Sequence, residues 1–157
     1  QAKNQLTNNK LTRNELNHQR NQACASDQRN ALWLTDIGAT EIKLANITSY
    51  IISAYPMFLA PRCQGLCYAT QALTIENSAY LAIYSAFDVN PDIRLKEVPL
   101  CLLILSQDNS FISMSLELAK IKYCQAYQVN KSQVMNITST DISAYLQALA
   151  NNSHPKI

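Results

Sequence analysis

Glycine occurs only twice in 157 residues, at Gly38 and Gly65, far below the ~7% of an average chain. No Asn-Gly, Asp-Gly or Gly-Gly pair exists to close a two-residue hairpin, which counts against a β-meander and favours helices. Histidine is as scarce. His18 and His154 both lie in polar end segments, so a Cys-His or Ser-His pair would have to recruit a chain terminus. There is no His-Glu-x-x-His, the one Glu-x-x-His (Glu15 to His18) has no second copy as a di-iron bundle would need, and neither glycine sits in a phosphate-cradling loop. The expectation is a protein that is not an enzyme, with no catalytic residue, no metal and no cofactor.

Charge is also thin. Charged residues make up 15% of the chain, against an average of ~25%, and the formal net charge is +2. That is far from the basic footprint phosphate neutralisation needs, so nucleic acid is not the expected partner. The longest apolar run, Val98 to Leu105, contains Pro99 and falls well short of the ~18 to 20 residues that cross a bilayer, so no transmembrane segment is expected.

A chain of this length fits a single domain, 1–157, because it buries roughly 70% of its unfolded surface in one core. The polar stretch 1–27 reads as a peripheral docking helix, 28–150 as the core bundle and 151–157 as a tail. The chain opens at Gln1, which reads as a mature protein with its signal peptide removed.

Three stretches carry helical periodicity. In "TEIKLANITSYIISAYP" the residues Leu44, Ile47, Ile51, Ala54, Tyr55 and Phe58 step by three and four, Thr40 is placed to cap and Pro56 to stop the helix. In "SFISMSLELAKIKYCQAYQ", with Ser110 as cap, Phe111, Met114, Leu118 and Ile121 form one stripe. Ile112, Leu116, Ala119 and Tyr123 widen it into a two-sided, central helix, with Glu117 at its rim. In "TSTDISAYLQALANN" Thr138 and Asp141 resemble a capping box ahead of Ile142, Tyr145, Leu146 and Leu149. The stretch "CYATQALTIENSAYLAIYSAFDVNP" reads as one or two helices closed by Asn90-Pro91, with Tyr80, Ile83, Tyr84 and Phe87 as a stripe. The fold expected is all-α: a single-domain bundle of about four to six helices, with room for one short strand at 98–105.

Five cysteines, Cys24, Cys63, Cys67, Cys101 and Cys124, are disulfide candidates. Cys63 and Cys67 lie four apart around Gly65 in "PRCQGLCYA"; on one helical face their Cβ vectors run nearly parallel, which disfavours a bond between them. Bridges between elements suit the geometry better. A zinc clamp lacks its second ligand pair. Four sequons occur, at Asn46, Asn130, Asn136 and Asn151, where abundant Asn, Ser and Thr would give about two by chance.

Two sets of residues suggest binding surfaces. Lys3, Lys10, Arg13 and Arg20 step by seven, three and seven, a basic stripe if that segment is helical. Eight tyrosines against three phenylalanines is a skew toward the residue that buries area while keeping a polar tip, and the pairs Tyr80/Tyr84 and Tyr123/Tyr127 share helical faces. The function expected is that of an exported, secreted or periplasmic protein, with a cytoplasmic one as the alternative. It would bind another protein as an inhibitor, immunity, adaptor or assembly factor. One other reading is a helical carrier of a small apolar ligand lined by Met57, Phe58, Tyr80, Tyr84, Phe87, Phe111 and Met114. Another is a structural subunit that self-associates through its N-terminal segment.

Overall fold

The computed structural model describes residues 29–37, 42–75, 80–151 and 154–156. Their order is β1 (Arg29–Asp36), α1 (Ile42–Ala54), α2 (Pro56–Cys63), β2 (Ala69–Ile75), β3 (Tyr80–Asp88), α3 (Pro91–Ser106), α4 (Asn109–Tyr127), a 3-10 turn (Lys131–Gln133), α5 (Ser139–Asn151) and β4 (His154–Lys156). The strands form one antiparallel sheet in the order β2-β3-β1-β4. The all-α expectation is therefore wrong: five described helices pack with a sheet.

The physical reason lies in "ATQALTI" and "YLAIYSAFD". Leu81, Ile83 and Ser85 alternate with Ala82 and Tyr84, and they pair in register with Thr35, Trp33 and Ala31 of β1 and with Thr74, Ala72 and Thr70 of β2. That period of two places one row on the core face, and the β-branched and aromatic content suits a pleated surface. Scarce glycine excludes only the two-residue hairpin turn; residues 76–79 separate β2 from β3, a connection long enough to need no such turn.

Trp33, Ala31, Ala72, Leu81 and Ile83 join Ile47, Ile51, Ile52, Leu102, Leu105, Ile112, Ile142 and Leu146 in one core between sheet and helices. The opposite row, Leu32, Leu34, Leu73, Ala82 and Tyr84, lies outside that cluster. The outer edge of β2 is clasped by α1. Ser53 Oγ accepts from Ala72 N at 2.9 Å and donates to Ala72 O at 3.0 Å, so one hydroxyl satisfies both edge groups of that residue.

The helices start and stop for identifiable reasons. Pro56 both ends α1 and opens α2 as a first-turn proline, a position where its missing N–H costs nothing. α2 closes in a Schellman motif: Gly65, at φ 77, donates to Arg62 O and Leu66 N donates to Pro61 O. Asn90 caps α3 through Ile93 N. The stretch 98–105 lies inside this helix, Pro99 included, so no strand forms there. The cap of α4 is Asp108, accepting from Phe111 N at 3.1 Å, rather than Ser110. The capping box of α5 forms as expected, Thr138 N to Asp141 Oδ2 at 2.9 Å and Asp141 N to Thr138 Oγ1 at 3.2 Å. The segment read as a tail contributes β4, which pairs with Leu32, Trp33 and Leu34.

α4 is two-sided but not central. Ile112, Leu116, Ala119 and Tyr123 are buried, while Met114, Leu118 and Ile121 face outward. One side of the helix completes the core, so the other is surface.

Candidate interaction site

Cys63, Cys67, Cys101 and Cys124 are free thiols, which overturns the expected disulfides; Cys24 lies outside the described residues. Gly65 does break the helix after Cys63, yet the turn leaves Cys63 exposed at the end of α2 and Cys67 buried ahead of β2. Cys101 sits half-buried midway along α3 and Cys124 half-buried near the end of α4. Burial pushes the Cys67 thiol up, and burial with the Glu97 charge pushes Cys101 up to about 11, so both stay protonated and poorly nucleophilic. Among the described residues no group of three or more His, Cys, Asp or Glu is placed to hold a metal ion.

The basic candidates Lys3, Lys10, Arg13 and Arg20 lie outside the described residues. Tyr80 and Tyr84 do share a face, but it is that of a strand: residues four apart on a strand lie on one side of the sheet. Tyr80 is exposed and Tyr84 donates to Gln71 Oε1 at 3.0 Å. Tyr123 is buried and stacks at 4.7 Å against Tyr127, whose hydroxyl donates to Asn46 Oδ1 at 3.3 Å. These tyrosines are spread over the sheet and one helix; the structure does not gather them into one surface. Of the residues grouped as a ligand lining, Met57, Phe58 and Tyr84 border one cavity, while Phe111 packs edge-on against Tyr55 at 4.8 Å and Met114 is open to solvent. A cavity between α2, α3 and the sheet, bordered by Met57, Phe58, Leu95 and Cys101, holds about 40 Å³, room for a water or two.

A different site is built where β3 runs into α3. Phe87 adopts φ 51, left-handed backbone that costs a bulky residue about 1–2 kcal/mol. It sits where the register between β1 and β3 slips, between the pairs Ala31–Ser85 and Arg29–Asp88, as in a β-bulge. Several bonds hold it there. Asn30 Oδ1 accepts from Phe87 N at 3.0 Å, Tyr68 N donates to Ala86 O at 2.8 Å, and Val89 N donates to Leu66 O at 3.0 Å. Beneath it Asp88 is fully buried and accepts from Ser85 Oγ, Asn90 N and Arg94 Nε, each at 2.8 Å. Burial alone would lower the Arg94 pKa; the hydrogen bond and charge of Asp88, with a 3.3 Å contact to Glu97, outweigh that and hold it above its usual range.

The consequence is that the Phe87 ring points outward, 55% exposed, packed edge-to-face at 6.2 Å on Tyr68, itself 73% exposed. Val89 and Ile93, further along the chain, are exposed as well. Two exposed arginines lie in the elements that meet here: Arg29 pairs across strands with Asp88, and Arg62 is near the end of α2, ahead of the turn whose Leu66 O accepts from Val89 N. Residue-type counting missed this site, since its signal is a backbone conformation; in the sequence Phe87 reads only as one member of an apolar stripe.

No family model, curated protein or solved structure matches the chain. Its chemistry is read from its own geometry. An exposed aromatic pair on a fixed backbone presents the residue types that anchor protein interfaces.

Proposed function

We propose that the protein works by binding another protein through the Tyr68–Phe87 surface, its partner being an apolar segment flanked by carboxylates. The observation that supports this is Phe87 itself: a strained backbone, fixed by at least four hydrogen bonds around it, that turns an aromatic ring toward solvent. A core has no use for that arrangement, whereas a preorganised aromatic anchor loses little entropy when it docks. Arg29 and Arg62, exposed on the strand and helix next to this surface in the fold, are the charges that acidic flanks would complement.

No described helix is long and apolar enough to cross a membrane. Placement in a secreted or periplasmic compartment is the finer part of the proposal. Four free thiols withdraw the disulfide ground for it, and the binding surface serves in either setting. Inhibitor, immunity, adaptor and assembly roles all use such a surface.

The test is affinity capture from an extract of the native cells with the wild-type chain, Phe87→Gly, Tyr68→Ser and Leu118→Glu as baits, read by quantitative mass spectrometry. A protein retained by wild type and Leu118→Glu but lost tenfold or more with the two aromatic variants supports the reading. Equal retention by all four removes the aromatic surface as the binding site.

A further inference from the structure

On a separate surface, α4 leaves an apolar stripe uncovered: Met114, Leu118 and Ile121 are 72%, 56% and 41% exposed. The stripe lies on the far side of the helix from Ile112, Leu116, Ala119 and Tyr123, which are buried, so core packing does not account for it. The spacing 114, 118, 121, 125 alternates four and three, the seam of a two-helix coil, with exposed Gln125 at the fourth position. We propose that this stripe is the contact through which two copies of the chain pair α4 against α4 in parallel.

The flanking charges choose the occupant and its direction. With Met114 and Ile121 at d and Leu118 and Gln125 at a, Glu117 falls at g and Lys122 at e, on opposite sides of the stripe. In a parallel pair each g residue faces the e residue five further along the partner, so Glu117 meets the second copy's Lys122 and the reverse contact repeats it. An antiparallel pair sets Glu117 beside Cys124 and Lys122 beside Ser115, with no charge matched. Both side chains are exposed, each with one contact inside its own chain. Glu117 is two-thirds exposed with only a 3.6 Å contact to Lys120, and Lys122 is exposed, its ammonium 5.9 Å from the Tyr50 ring. A lone polar residue at an a position, here Gln125, fixes register at some cost in strength. Three apolar side chains per copy make a contact smaller than the ~1,200 Å² of a durable complex, so the pair is weak and depends on concentration.

Sedimentation equilibrium of the full chain in reductant and low salt, from roughly 5 µM to roughly 500 µM, tests it across the range where so small an interface assembles. The expected result is a mass climbing from one chain toward two, a monomer throughout for Leu118→Glu, and association weakened about tenfold by Glu117→Lys. The double exchange Glu117→Lys with Lys122→Glu should recover the wild-type curve. A wild-type monomer at every concentration, or a dimer indifferent to Leu118→Glu, overturns the proposal. Failure of the double exchange to recover overturns the parallel arrangement. None of these outcomes touches the Tyr68–Phe87 surface, which the aromatic variants probe separately.

Discussion

Arg94 Nε lies 2.8 Å from Asp88 Oδ2, with the carboxylate wholly out of solvent and the guanidinium nearly so. Six residues apart, they tie the last residue of β3 to the first turn of α3, and the aromatic surface stands on that tie. Arg94→Met leaves a buried carboxylate with only Ser85 and Asn90 as donors. Breaking one side of a buried pair costs about 3–5 kcal/mol. Urea unfolding should show a loss of about that size; a loss under about 1 kcal/mol would mean that the pair contributes nothing to the fold.

Phe87 separates stability from binding. Phe87→Gly accepts the left-handed backbone without strain, so its unfolding midpoint should equal or exceed that of wild type, while Phe87→Ala keeps the strain and loses the ring. Thermal unfolding should rank Gly above Ala by about 1 kcal/mol. The opposite ranking would show that the left-handed backbone at this position carries no strain for a residue with a Cβ.

Ser53→Ala strips the clasp from the β2 edge and leaves Ala72 N and O without their partner. The expected cost is about 1–3 kcal/mol, the range for a buried backbone group left unsatisfied. The bare edge should also template strand addition, so light scattering on prolonged incubation is expected to rise above wild type. Unchanged stability and scattering would show the edge to be protected by other means.

Titration of Cys101 sets an alkaline limit. The folded thiol holds its proton to about 11, where an unperturbed one releases it near 9.0, so the folded state carries the extra proton between those values. Stability is then unaffected below pH 9 and falls as pH rises toward 11. Tyr50, Tyr55 and Tyr123 are also raised, chiefly by burial, and add to the fall with the same sign. Cys101→Ser should flatten part of that decline, and iodoacetamide at pH 8 should label exposed Cys63 well before Cys101. Equal labelling rates would contradict the burial of Cys101.

The helices were legible where two signals agreed. α1 and α5 combined a three-four stripe with a stop or a cap, and Pro56 and the Thr138–Asp141 pair then appear in those roles. β3 was illegible because Tyr80, Ile83, Tyr84 and Phe87 fit a helical stripe as well as Leu81, Ile83 and Ser85 fit a strand, and burial alone decides between them. In α4 the periodicity correctly showed two apolar faces, but no pattern within the helix indicates which one the rest of the chain will cover. The conformation of Phe87 left no trace, since a left-handed φ at a non-glycine residue is imposed by neighbours distant in sequence, Asn30 among them.

Asn46 anchors α1 to the sheet through its side chain, its Oδ1 accepting from Thr74 at 2.9 Å and from Tyr127, its Nδ2 donating to Ile42 O at 3.2 Å. It also begins a sequon, Asn46-Ile47-Thr48. In the finished molecule that amide is sealed from any oligosaccharyltransferase, but in a nascent chain it is open. A glycan joined to Nδ2 at that stage would leave no room for α1 to settle on β2. Production through a eukaryotic secretory route is therefore a race between folding and glycosylation at Asn46. Thr48, whose buried hydroxyl finds no partner among the described residues, is where the acceptor sequence can be removed with least harm to the core.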